Sequence, residues 1–385
     1  MVQPALTPGT QGGTPCLLAN LDKIGLQWTD SEQDWMLTFT ITDDHEEQFS
    51  MEEKYAPVDN RITIHDVREL LRPYFNLSDH PGLTGFASLG LKSLTDTRRV
   101  QFSITLFGSM RQFCGTYHVA YSNAPSDFLH VGTGNNGIGS RFLTRGNLKN
   151  VSAAQPCSVS FFGHGETLKV KILHYVNGTP FLTKLPDVTS EDSGNMQTYN
   201  FTLQGLAELA EIDEDDIIYA DLQLFLNSTP KDSVRFMHET LQRPYERLFA
   251  FIGAMGEPEF MAFKGSEKRE AEFEGVFLME HNHYRKADTD LRCIHTSYTG
   301  PLSEEERELV WDMAASPWVY VIENGALREV TITEVELNDS LPHREPIGYN
   351  VKFRYTAEHE QRTFRRNQNV PHIGVFDKTF DYTFD

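Results

Sequence analysis

The chain has 385 residues, 34 of them basic and 55 acidic, for a formal net charge of −21. That balance excludes a general binder of phosphate backbones, which needs a basic face to displace counterions. Aromatic residues make up 11% of the chain, enough buried surface to offset ordering entropy, so global disorder is excluded as well. At roughly 100–200 residues per domain the length predicts two or three domains.

In chain order, residues 1–20 are rich in Pro, Gly and Thr and read as a flexible arm. They carry neither the basic start nor the continuous apolar stretch of a signal peptide, so synthesis in the cytoplasm without export is expected. The longest apolar run, 248–255, is far shorter than the ~20 residues that cross a bilayer, so no membrane insertion is expected. The four cysteines, Cys16, Cys114, Cys157 and Cys293, form no close pair, which fits neither a zinc knuckle nor a disulfide framework.

Period-two alternation dominates. Residues 35–41, 100–107, 168–174 and 349–355 each place apolar side chains on one face and polar ones on the other, as half-buried strands do. The runs 217–226 and 317–322 are more continuously apolar and are expected to be covered on both faces. Asn177-Gly178 and Asn324-Gly325 lie between alternating runs, where a type I′ hairpin turn needs two residues of positive φ. Helices are expected at 64–73, 202–212 and 303–315. In the last, Ser303 and Glu306 form a capping box, Leu309, Val310 and Met313 supply the apolar stripe, and Pro317 forces the stop.

These elements predict a mainly β fold of multi-domain antiparallel β-sandwiches with a few short connecting α-helices. Loop-rich stretches divide it into three parts. Residues 1–95 form an N-terminal arm and a β-rich domain with a short helix, and 96–195 form a β-sandwich domain. Residues 196–385 form a C-terminal β-rich region with the 303–315 helix and a C-terminal arm.

Chemistry-bearing motifs are sparse. Gly132, Gly134 and Gly137 match G-x-G-x-x-G, but two further glycines interrupt the helix that should follow, and residues 149–160 hold no acid. That spacing reads as a glycine-rich loop, and no cofactor is expected. His281 and His283 share one face of an expected strand that turns at 285–290. Antiparallel return would set Cys293 opposite His281, a weak candidate metal set of His281, His283 and Cys293. A one-residue slip would separate them. No Ser elbow or nucleophilic Cys signature is present, so no catalytic residue is assigned.

The C-terminus repeats F-D-x-T from Phe376 through Phe380 to Phe384, with Tyr382 between. Spacing by four would stack the phenylalanines along one helical side, although these residue types form helices poorly. Exposed aromatics of this kind should dock. Either they pack on the chain's own body, or Phe376, Phe380, Tyr382 and Phe384 form an interaction arm on a neighbour.

Three stretches carry a family resemblance. The first joins Glu53, Lys54 and Tyr55 to 61–67, Leu70 and Leu71. The second runs over 245–251 with Gly253 and Gly256 into 260–265. The third links the 303–315 helix to Pro317, Trp318, Asn324, Gly325, 328–332 and the F-D-x-T end. Together they resemble tail-tip and baseplate-associated structural proteins of tailed phages and prophages of gut anaerobes. The resemblance implies a non-enzymatic tail component of β-sandwich domains, whose partners are copies of itself and other tail proteins. It also implies assembly in the bacterial cytoplasm, incorporation into the virion tail, and no cofactor. The family has no binding or catalytic residue to transfer. Two readings from other classes stand beside it. One is a carbohydrate- or cell-surface-binding module stacking Trp28, Trp35 or Tyr121 on a host glycan. The other is a metal-dependent enzyme using His281, His283 and Cys293.

Overall fold

The structure, a computed structural model, describes residues 141–356 except 164, 192–194, 241–246, 281–282 and 337–347. It also describes 14–17, 23–27, 35–42, 48–55, 61–65, 72, 83, 89–93, 98–106 and 112–123. Side chains are described from 119 onward except at 271–292, and at 72, 83 and 89–91. Among these residues the fold is mainly β: strands account for most of the ordered backbone and two α-helices join them.

The first eight strands are β1 (Thr14–Leu17), β2 (Lys23–Gln27), β3 (Trp35–Thr42), β4 (Gln48–Tyr55), β5 (Arg61–His65), β6 (Gly90–Ser93), β7 (Arg98–Leu106) and β8 (Gln112–Ala120). Five form a sheet in the order β1-β8-β7-β3-β4, and β2 pairs with β5. β5 runs into the start of the helix expected at 64–73. Its Ile62-Thr63-Ile64 run is β-branched, and such side chains favour the pleated conformation.

The middle of the chain builds a sandwich. Its strands are β9 (Leu148–Val151), β10 (Cys157–Phe162), β11 (Thr167–Val176), β12 (Thr179–Lys184), β13 (Val188–Thr189), β14 (Met196–Phe201), β15 (Ile217–Leu226) and β16 (Thr229–His238). A six-stranded sheet, β12-β11-β15-β16-β9 with β13 beside β11, faces a three-stranded sheet, β10-β14-β6. Alternation sets the layers: Leu168, Val170 and Ile172 of β11 point inward and meet Phe161, Tyr199 and Phe201 from the opposite sheet. Phe201 packs edge-on against Phe236 at 4.8 Å. Helix α1 (Leu203–Ala210) closes one end through Leu203 and Leu206, and the Gly205 backbone N–H donates to the capping Thr202 hydroxyl.

The three-stranded sheet is covered on both faces. Cys157, Val159 and Phe161 enter the sandwich core, whereas Phe162 packs with Ala120, Leu143, Met196 and Ala254 on the far side. β15, expected to be covered on both faces, instead alternates buried and half-buried residues, because the outer face of the six-stranded sheet is open.

The last third forms an antiparallel sheet in the order β18-β17-β21-β22-β23-β20-β19. Its strands are β17 (Arg247–Ile252), β18 (Pro258–Phe263), β19 (Glu267–Glu280), β20 (His283–Tyr298), β21 (Val319–Glu323), β22 (Ala326–Glu336) and β23 (Asn350–Tyr355). Helix α2 (Glu304–Ala315) lies on it, burying Leu309, Val310 and Met313 against Phe249, Val321 and Phe353. Its capping box is formed: the Glu306 N–H donates to the Ser303 hydroxyl and the Ser303 N–H to the Glu306 carboxylate.

The expected partition at 95/96 and 195/196 is corrected. β6 (Gly90–Ser93) pairs with β14, so 90–93 belongs to the sandwich, while β7 and β8 pair back to strands before residue 55. Residue 196 opens β14, which pairs with β10, so the second boundary cuts one core in two. The polar, glycine-rich stretches that suggested boundaries connect strands whose partners lie far away in sequence.

Candidate functional site

A group of buried and half-buried charges lies where the sandwich meets the seven-stranded sheet. β10 and β18 run side by side there, joined by side chains: the Ser158 hydroxyl donates to the Pro258 carbonyl, and Gln155 Nε2 donates to the Phe260 carbonyl at 3.4 Å. Glu259, on β18, is 3% exposed and is held from the sandwich side. Lys149 Nζ donates to its two carboxylate oxygens at 2.7 and 2.6 Å, and the Thr144 hydroxyl donates to Oε1 at 2.8 Å. Arg145 reaches α2, its Nε 2.5 Å from Asp312 Oδ2 and its Nη1 3.0 Å from Glu308 Oε2.

Glu257 sits two residues before Glu259 on the same side of the strand and is buried. Neither of its carboxylate oxygens finds a hydrogen-bond partner in another described residue, and the carboxyl occupies the space a Cβ would take at Gly253. Burial drives its pKa well above 4.5, Glu259 adds to the rise, and its own backbone N–H works the other way. Its surroundings therefore favour the neutral carboxylic acid over the carboxylate. Burial also raises Asp312 from 3.8 to about 6 against the opposing pull of Arg145. Burial raises the free Cys157 thiol far above 9.0, Lys149 drawing it back, which leaves it inert as a nucleophile.

The cleft between Lys149, Cys157, Phe236, Glu259, Lys264 and Leu309 has about 40 Å³ open to small groups, room for roughly three waters. Lys264 and Glu239 close one side as an ion pair. The charges of the cleft thus compensate one another across the two units, which makes this arrangement a polar fastener between sheets.

This cluster sets a pH dependence. An acid whose pKa is raised on folding stabilises the fold below its unfolded pKa and loses that contribution as pH rises through its folded pKa. For Asp312 the loss spans pH 3.8 to about 6, and Glu257 extends it upward. The melting temperature of the protein is therefore expected to rise as the buffer is taken from pH 8 to pH 5.5. Scanning calorimetry should show that slope flattened in Asp312→Asn and Glu257→Gln. A flat profile in the unmodified chain would contradict the assignment.

The residues singled out by sequence fall elsewhere. β20 runs unbroken from His283 through 285–290, so the expected turn there is corrected: β19 ends at Glu280 and β20 begins at His283. Cys293 pairs with Ala271, and His283 pairs with Glu280, which separates Cys293 from His283 by ten residues, about 33 Å of strand. Antiparallel pairing of β20 with β19 from His283 to Ser297 overrides the weak turn signal of Asp288 and Asp290. His281 lies outside the described residues, as do Trp28, 132–137 and the arm residues Phe376, Phe380, Tyr382 and Phe384. Trp35 opens β3. Tyr121 is buried edge-on against Trp318 at 4.8 Å, so it is not available as a sugar-stacking platform. Among the described residues no group of three or more His, Cys, Asp or Glu is arranged to hold a metal ion.

Lys149, Glu257, Glu259 and Asp312 had escaped the sequence reading. One signal was visible: Glu257 and Glu259 interrupt an otherwise apolar stretch and fall on one face of the strand, where a solvated pair would be out of place.

No protein-family model matches the chain, and no curated protein matches it. Among solved structures it is similar to the calcium binding domain CBD12 of CALX1.1, with 6% identity and a TM-score of 0.16 over 58% of this chain and 79% of that one. It is also similar to Escherichia coli alpha-2-macroglobulin activated by porcine elastase. There the identity is 7% and the TM-score 0.18, over 92% of this chain and 31% of that one.

Proposed function

We propose that the chain is a non-enzymatic structural component of a multi-subunit assembly, of the phage tail and baseplate kind that its sequence resembles, acting through protein–protein contacts. The observation that supports this reading is the β19–β20 ribbon. β20 pairs with β23 only from His295 to Tyr298, yet its pairing with β19 continues for eleven more positions, from Glu270↔Ile294 to Glu280↔His283. Among the described residues those eleven pairs have no third strand, so the ribbon projects roughly 35 Å beyond the sheet. An isolated two-stranded ribbon is marginal in water and gains stability by lying on another surface. The fastener beneath β10 and β18 suits the same role, because it makes two β units one stiff lever behind the ribbon. Copies of the chain and other tail proteins are the partners of this reading, and its setting is assembly in the bacterial cytoplasm followed by the virion tail.

Light scattering tests it. The full chain is expected as a discrete oligomer at micromolar concentration. Replacing 271–292 by an Asn-Gly turn should give a smaller species with the strand content of the remaining sheet intact by circular dichroism. A full chain that stays monomeric at every concentration would sink the reading. No described helix is long and apolar enough to cross a membrane.

A further inference from the structure

β12 ends the six-stranded sheet, and among the described residues its only strand partner is β11. Five of its six residues are exposed and the sixth is half-buried. Native edge strands are normally blunted by charge, proline or cover. β12 carries Pro180 and Lys184, but Phe181 and Leu182 between them are 58% and 43% exposed, beside Tyr175 and Val176 at 45% each. The two faces of this edge differ. On the core face Phe181 pairs with His174, their rings 5.8 Å apart, so the rim of the sandwich core is left open to water. On the outer face Lys184 lies directly opposite Lys171, a like-charge cross-strand pair that destabilises a sheet, and neither lysine has an ion-pair partner among the described residues.

The segment 375–385 has the complementary pattern. Read as a strand, it alternates perfectly: Phe376, Lys378, Phe380, Tyr382 and Phe384 share one face, and Asp377, Thr379, Asp381, Thr383 and Asp385 the other. This period-two order accounts for the Phe, Tyr and Thr residues, which form helices poorly and strands well. We infer that residues 375–385 of a second copy add to the open edge of β12 as an extra β-strand. The aromatic row covers Phe181 and the core rim, and the aspartate row lies against Lys184 and Lys171. Main-chain hydrogen bonds supply the affinity and the two faces fix the register, as in β-strand addition generally. Nineteen residues lie between Thr356 and Phe376, a reach of up to ~65 Å, enough to leave one copy for the next. The choice of a second copy rests on the proposed assembly; the match of segment to edge does not.

The test uses the full chain carrying Phe380→Asp and Phe384→Asp, with its own segment disabled, and a fluorescent peptide of residues 375–385. Saturable binding by anisotropy is expected, weakened at least tenfold when Phe181→Asp or Lys184→Glu is added, and weakened by raising the salt from 50 to 500 mM. The two surface substitutions act on different faces, and circular dichroism checks that each variant is folded. For the second copy, Leu182→Cys in one preparation and Phe380→Cys in another are mixed and bridged with a short bis-maleimide, which should yield a covalent dimer. The unmodified chain serves as the control for its native cysteines. No peptide binding, or binding indifferent to both edge variants, overturns the inference. Cross-linking only within a chain that carries both cysteines overturns the second copy as donor. An unmodified chain that is oligomeric while the peptide fails leaves the assembly standing without this contact, whereas a monomeric chain removes the assembly itself.

Discussion

Lys149→Met is expected to lower the stability of the protein by about 3 kcal/mol, among the largest effects of any substitution outside the hydrophobic cores. Lys149 and Glu259 are 11% and 4% exposed at their side chains, and Lys149 supplies two of the three hydrogen bonds that Glu259 accepts. Removing the ammonium leaves a carboxylate between two sheets with only the Thr144 hydroxyl to satisfy it. The neighbouring Glu257 cannot help, because its own charged form is already suppressed by burial and by Glu259. The double variant Lys149→Met/Glu259→Met should recover most of the loss, since breaking a buried pair costs far more than replacing it with well-packed apolar groups. Scanning calorimetry of the two variants checks this. A single variant within 0.5 kcal/mol of the unmodified chain, roughly the range of a surface change, would mean that the pair is solvated and the fastener weak.

How much of this was legible in the sequence depended on the range of the interactions. Alternation placed β3, β7, β11 and β23 within a residue or two, because period two reports only on a strand and its two faces. The capping box of α2 was equally local, and Asn177-Gly178 and Asn324-Gly325 adopt positive φ at both positions, 51° and 77°, 52° and 75°. The turn between β15 and β16 went unread because Asn227 is followed by Ser228, which takes φ 66° without being glycine. Pairing was not legible. Nothing in 90–93 says that it joins β14 across more than a hundred residues, and the boundary placed after 195 fell inside a core for that reason. The charged fastener draws Thr144 from a loop, Lys149 and Glu259 from two strands and Asp312 from a helix, and only the acidic pair around Pro258 left a local trace. The candidate metal set failed on register. Its two strands were inferred correctly as antiparallel, but β20 already begins at His283 and runs through 285–290, and every cross-strand partner moves with it.

Gly256→Ala is expected to cost more than 3 kcal/mol, although it adds a single methyl group. Two independent penalties meet at this position. Gly256 has φ of +86°, where a non-glycine residue pays about 1 kcal/mol or more in steric strain. In addition, the new Cβ would collide with the backbone carbonyl of Tyr121, which is not the mobile tip of a side chain. The segment Tyr121–Asn123 would have to lift away from the β17–β18 hairpin. That movement breaks the hydrogen bond from the Asn123 N–H to the Ala254 carbonyl at 2.9 Å and the one from Asn123 Nδ2 to the Ala315 carbonyl at 3.1 Å. It also withdraws the buried Tyr121 ring from Trp318. Gly325→Ala separates the two penalties, because Gly325 has a similar φ of +75° but no atom within 4 Å of the added Cβ. It should lose only the strain, about 1 kcal/mol. Denaturant unfolding of the two variants therefore measures the docking of the segment after β8 by difference. Equal losses at Gly256 and Gly325 would mean that Tyr121 does not rest on this hairpin, and would detach the five-stranded sheet from the units that follow it.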